Sequence, residues 1–242
     1  SRDKAGVTVM SSGRGTMRPT IRYTGISGEV GLSANNIRVS NLRFLAATDS
    51  VTRGVDMDTG FSGQTIDNCG FDFNATTNNF RVMVRAGAPR SIIENNRFIA
   101  EDTAGAWGAI ALKGGAPSFT TIKGNYFYGQ YDTVGDTTNG AAVIAQDTTD
   151  TLDTNFSGLL IQDNTIIHTD TTASVMIRIS AGYTIRGMVR DNRFASFDST
   201  SADTAKFVTA QAVGSGLRFI QNKMNGDSGT EKLVGDTFVL AA

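Results

Sequence analysis

The residues able to do chemistry are few and spread along the chain. There is one histidine, His168, and one cysteine, Cys69, so no His/Cys metal site can be assembled, since such sites need three or four such ligands. A Ser-His-Asp triad would have to be built on His168, and no serine is singled out to accompany it. His168 follows Ile166-Ile167 at a place where comparable segments carry Ala46, Phe73, Ala100 or Ser196, which reads as a packing or turn position. The carboxylate pair best placed for hydrolysis is Asp56 and Asp58, flanking Met57. On a strand, residues i and i+2 share a face about 6.6 Å apart, near the lower end of the separation used by inverting glycosidases. The competing reading makes Asp58 one member of an exposed charge ladder with Arg85 and Lys113 one and two coils further on, with Asp56 opposite Met83.

Other chemistry is of the binding kind. Trp107, Tyr126, Tyr128 and Tyr131 carry rings able to stack on sugars or to pack under loops. The segment 128–158 holds Asp147, Asp150 and Asp153, oxygen ligands of the type that suits Ca²⁺, though without EF-hand spacing. One series of positions is basic or aromatic, running Arg43, Gly70, Arg97, Tyr126, Thr165, Arg193, Lys223. It either attracts an anionic partner or pairs with neighbouring acids such as Asp67 and Glu94 with little energetic consequence.

The elements that must position these groups come from a repeat. Val39–Phe44, Ile66–Phe71, Ile93–Phe98, Ile122–Phe127, Ile161–Ile166, Val189–Phe194 and Phe219–Met224 share an apolar first residue, an Asn-rich middle and, in five copies, a closing Phe. The fourth positions, Leu42, Cys69, Asn96, Asn125, Asn164, Asn192 and Asn222, are separated by 27, 27, 29, 39, 28 and 30 residues. A coil of that length cannot bury its own apolar face, and stacking on the next coil does so. The closing residues then form one internal stack. Asn96, Asn125, Asn164, Asn192 and Asn222 form a ladder of amides, because a buried amide is costly unless bonded and identical amides at strand spacing can bond rung to rung. A second apolar segment follows each copy, as in Val55-Asp-Met57, Val82-Met-Val84 and Ile110-Ala-Leu112, and Gly-rich corners lead onward. The stretch from Gly6 to Tyr23 reads as an earlier coil without the motif. The expected fold is an all-β, right-handed, single-stranded parallel β-helix of about eight coils. It forms one domain over 1–242, with its main insertion at 128–158, and is expected to be part of a longer chain.

The Ile-x-Asn-Asn-x-Phe copies and the opening Gly6-Val-Thr-Val-Met-Ser-Ser-Gly-Arg-Gly15 resemble the pectin-lyase-like superfamily of right-handed parallel β-helices, in character nearest to phage tailspike and virion-surface members. That superfamily contains lyases, hydrolases, tailspikes, virion proteins and adhesins, so the resemblance implies a fold and leaves function to the site. The Trp-Ile-Asp-His-type segment of pectate-lyase-like enzymes is absent, Trp107 being followed by Gly108-Ala-Ile110. A net charge of −1 argues against nucleic acid as the main partner, and no apolar run reaches membrane-span length. The reading that results is a non-enzymatic structural or adhesion β-helix, a phage virion surface component that is extracellular or on the virion. It needs no cofactor. Its partners are other chains of an assembly, in a homo-oligomer that the resemblance suggests is a trimer, and a polysaccharide. The alternatives kept open are a carbohydrate-active enzyme and a glycan-binding module without catalysis.

Overall fold

Three parallel sheets, visited in the same order by each turn of the chain, enclose one elongated core. The computed structural model describes residues 4–12, 18–100, 105–112, 117–131, 140–145, 155–169, 175–179, 184–196, 208–210, 216–225 and 231–234. The first sheet has eight strands, beginning Thr8–Met10, Arg38–Ser40, Thr65–Asp67, Ile92–Glu94 and ending Gly216–Ile220. The second has nine, including Thr20–Tyr23, Arg43–Ala46, Gly70–Phe73, Arg97–Ile99, Tyr126–Gly129, Thr165–His168 and Arg193–Ser196. The third has seven, among them Val30–Leu32, Val51–Met57, Phe80–Ala86 and Gly108–Leu112. The chain is a parallel β-helix. Among the described residues one pairing departs from the parallel rule: Glu231–Val234 lies antiparallel to Asn222–Asn225 at the end of the second sheet.

Strict register makes like residues stack. On the first sheet Val39, Ile66, Ile93, Ile122, Ile161 and Val189 stand one above another, and all are buried. On the second, Phe44, Phe71, Phe98 and Phe127 are fully buried and stack with ring centroids 4.7, 5.0 and 5.0 Å apart and planes within 18° of parallel. Offset aromatic stacking at this distance adds to the free energy of burying the rings.

The amide ladder occupies the corner between these two sheets. Each Nδ2 donates to the Oδ1 of the next rung, Asn96 to Asn125 at 3.1 Å, Asn125 to Asn164 at 3.1 Å, Asn164 to Asn192 at 2.9 Å and Asn192 to Asn222 at 2.9 Å. Its other hydrogen goes to a carbonyl of the preceding coil, such as Ile66 O from Asn96 and Ile93 O from Asn125. Each Oδ1 also accepts the backbone N–H of the rung before. Two donors and two acceptor positions are thereby filled, which is what allows an amide to be buried at this place.

The residue preceding each ladder position takes a left-handed backbone. Asn41, Asn68, Asn95, Gly124, Asp163, Asp191 and Gln221 have φ between 52° and 64°. Asn, Asp and Gly tolerate that region best, so the Asn-rich middle of the repeat encodes a bend as well as a ladder. A second left-handed column, Gly6, Asn36, Gly63, Arg90, Phe119 and Gly158, lies two residues before the in-register segment of successive first-sheet strands. Glycine supplies the angle at three of these six places, Gly63 of an expected glycine corner among them, and Asn36, Arg90 and Phe119 supply it at the others.

The third sheet breaks the simple alternation of strands. Met83-Val84, Ala109-Ile110, Ala142-Val143 and Met176-Ile177 each place both members in the main core. The register stays constant through this level, Gly108 facing Val82 and Ile110 facing Val84. Two inward residues in a row therefore recur at the same place on successive strands and break the period-two alternation of an ordinary strand.

Candidate functional site

Asp56 lies on the outer side of the third sheet between inward Val55 and Met57 and is only 8% exposed. Its register partner in the next coil is Arg85, with Ala111 beyond. Arg85 Nε donates to Asp56 Oδ1 at 2.7 Å, and Arg85 Nη2 donates to Oδ2. The expected pairing of Asp58 with Arg85 is therefore off by two residues, because the turn from the second sheet into the third is two residues longer in the later coil (74–79) than in the earlier one (47–50). Asp56 is the partner, and the pair is buried where an exposed ladder was expected. Asp58 instead reaches the N–H of Gly60 at 3.4 Å in the following turn. Both carboxylate oxygens of Asp56 are occupied by the Arg85 guanidinium and Asp58 turns to its own following loop, so the geometry does not make Asp56 and Asp58 an opposed acid–base couple. Lys113 lies outside the described residues.

The four aromatic candidates separate. Tyr131 is fully buried, its hydroxyl donating to Phe98 O at 3.0 Å, and burial drives its phenol upward from the ordinary tyrosine range. Trp107 is 3% exposed and packs with Val82, Ala111 and Ala141 in a small cluster outside the main core, where its indole N–H has no hydrogen-bond partner among the described residues. Of the two readings these rings allowed, stacking on sugars or packing under loops, their burial favours packing. Tyr126 and Tyr128 are different. They flank inward Phe127 and point outward, Tyr126 being 37% exposed and Tyr128 half-buried.

His168 is buried beside Tyr131, whose backbone N–H it accepts at Nε2, 3.3 Å away. It is a satisfied core histidine in this structure. Cys69 stands in the ladder column below Asn96, and burial pushes its thiol up to about 11, away from nucleophilic use at neutral pH. Asp147, Asp150 and Asp153, the candidate Ca²⁺ ligands, lie outside the described residues, as does most of the insertion. Among the described residues no group of three or more His, Cys, Asp or Glu side chains comes together, and no helix is long and apolar enough to cross a membrane.

Two arrangements escaped sequence reasoning. Asp67 is 1% exposed and accepts four side-chain hydrogen bonds: from Arg38 Nε and Nη2 at 2.8 Å each, Ser40 Oγ at 2.9 Å and Asn68 Nδ2 at 2.8 Å. Burial works to raise its carboxyl, but these bonds outweigh it and hold the group below the usual carboxylate range. Gln64, Ser91 and Thr120 form a second buried polar column, bonding Leu32 O, Ala88 O and Pro117 O at 2.6 to 2.7 Å. The sequence carries a partial signal for each, a small polar residue 27 or 29 positions from its equivalent, but no signal for which acceptor it meets.

What remains available for recognition is the outer surface of the three sheets: the first exposes Arg38, Lys123, Arg186 and Arg218, and the second exposes Arg22, Arg97, Tyr126, Arg193 and Lys223. Sequence comparison is silent on this chain: no protein-family profile matches it and no curated protein sequence matches it. Solved structures are similar to it. A double-mutant tailspike protein of the E. coli bacteriophage HK620 superposes with a TM-score of 0.56 at 18% identity, over 86% of this chain and 42% of the tailspike chain. A single-mutant form of that tailspike in complex with a pentasaccharide gives 0.54 at 18% identity, over 84% and 41%. A double mutant in complex with pentasaccharide gives 0.52 at 17% identity, over 84% and 41%. At such identities the likeness establishes the fold, and the chain spans about two fifths of the length of the tailspikes it resembles.

Proposed function

We propose that this chain is a rigid β-helical surface element of a phage virion that adheres to polysaccharide without cleaving it. The observation that carries the reading is the likeness to a phage tailspike over most of this chain, in a molecule whose plausible acid–base carboxylate, Asp56, is held in a buried ion pair. Pentasaccharide complexes of that tailspike make a glycan the partner to test first. In this reading the chain works as a homo-oligomer within a larger assembly. Cleavage is the competing function, and it is distinguished by product.

The experiment incubates the purified chain with a panel of bacterial surface polysaccharides and measures both retention and new reducing or unsaturated ends. Retention without new ends is the expected result. New ends that vanish in Asp56→Asn would replace adhesion with catalysis, and retention of no member would remove the adhesion reading. Sedimentation equilibrium reads the oligomeric state, and a monomer across the micromolar range would remove that part.

A further inference from the structure

The outer face of the second sheet carries two columns in register. In the first, Arg97, Tyr126, Thr165, Arg193 and Lys223 occupy successive rungs. In the second, two residues along the same strands, Ile99, Tyr128, Ile167 and Ala195 do so. Inward Phe98, Phe127, Ile166 and Phe194 are buried, which by strand alternation turns both columns outward. Arg97, Arg193 and Lys223 are exposed, and the second column is half-buried. Lower on the face Arg43 is ion-paired with Asp72 at 2.9 Å. From Arg97 to Lys223 the first column contains no carboxylate, while the second continues in register through Asn225 to Glu231 on the last strand. The chain's net charge is −1, so the three exposed cations of this strip do not reflect a generally basic protein.

We propose that the strip from Arg97 to Lys223 is a docking track for an acidic polysaccharide lying along the axis of the β-helix; this rests on the adhesion reading above. Arg97 and Arg193 are three rungs apart, roughly 14 Å at strand spacing, with Tyr126 and Tyr128 between them. A guanidinium fork matches a sugar carboxylate in two-point geometry. Tyrosine rings beside it give sugar rings an apolar, low-entropy surface. The rung spacing is of the same order as the length of one sugar residue in an extended strand, so an acidic repeat can meet both arginines while its rings lie along the half-buried column. The track is built in advance. A sheet held by internal ladders loses little freedom on binding, which leaves more of the contact energy as affinity. A second copy of the chain is the disfavoured occupant, because symmetric packing through this face sets cationic columns against each other.

The test uses the full chain with a panel of acidic and neutral bacterial surface polysaccharides, polygalacturonate and dextran serving as reference members in biolayer interferometry. Acidic members are expected to bind, with affinity falling as salt rises. Arg97→Gln combined with Arg193→Gln is expected to weaken that binding at least 10-fold with the melting curve unchanged, while Arg43→Gln stays near wild type. Binding of neutral members alone, or undiminished binding by the double variant, overturns the track and leaves adhesion standing. Silence across the whole panel overturns both. A change from oligomer to monomer in the double variant assigns the face to contact between copies and overturns the track as well.

Discussion

Asn125 uses both amide hydrogens and both oxygen positions: Asn164 Oδ1 and Ile93 O accept from it, and Asn96 supplies a backbone and a side-chain N–H to it. Replacing it with alanine orphans buried groups on both neighbouring rungs. At about 1–3 kcal/mol for each unsatisfied group, Asn125→Ala is expected to lower stability by at least about 3 kcal/mol in denaturant titration; a loss under 1 kcal/mol would show that the ladder is incidental. Cys69 supplies the converse. Its backbone N–H already donates to Asn96 Oδ1 at 2.9 Å, and its Sγ faces Val39 O at 3.7 Å, the carbonyl an asparagine there would bond. Cys69→Asn is therefore expected to extend the ladder and raise stability by about 1 kcal/mol. In the wild type the buried thiol, pushed up to about 11, should resist a disulfide reagent at pH 8 until denaturant opens the coil.

The strand and its corner are the next scale, and here charge and bend matter together. Asp67 ends a strand of the first sheet and ties it to Arg38 of the coil before and to Asn68 at the corner. Its carboxyl sits below the usual range in the folded chain against about 3.9 when unfolded. The stabilisation is thus present above the unfolded value and lost as pH falls through the folded one. Wild type should melt progressively lower in acid below about pH 4, and its advantage over Asp67→Asn should shrink across the same window. An advantage independent of pH would assign the effect to shape alone. At the corners, Gln221 holds φ of 52° where its column elsewhere uses Asn, Asp or Gly. Gln221→Gly is expected to gain up to about 1 kcal/mol. Gly124→Ala should do the reverse, since an added Cβ would fall 2.6 Å from Asn95 Oδ1.

At the scale of the whole molecule each coil contacts chiefly its neighbours, so stability is close to a sum of coil and interface terms. Phe98 belongs to two such interfaces, stacked between Phe71 and Phe127. Phe98→Ala is expected to cost about 3–5 kcal/mol. Removing a full period, Gly70 to Asn96, joins Cys69 to Arg97 in equivalent positions and sets Phe44 beneath Phe98. A folded, shorter β-helix with a retained β-type circular dichroism spectrum is expected, and a chain that fails to fold would show that this solenoid is not modular.

The near-constant interval between Leu42, Cys69, Asn96 and Asn125 was enough to establish a stacked coil, an aromatic column and an amide ladder, because a short coil can bury its apolar face only against a copy of itself. Nothing comparable located the outer contacts. Two extra residues in the turn 74–79, offset by a shorter turn at 87–91, move Asp56 onto Arg85, and the interval between ladder positions does not reveal where within a coil its length changes. The sequence left Trp107 and Tyr131 free to stack on a ligand or to pack, and both lie buried, since a residue near a corner can turn either way and only the packed neighbours decide which. Side chains inside a solenoid repeat because their surroundings repeat; those outside meet a different neighbour on each rung, and only the assembled structure says which.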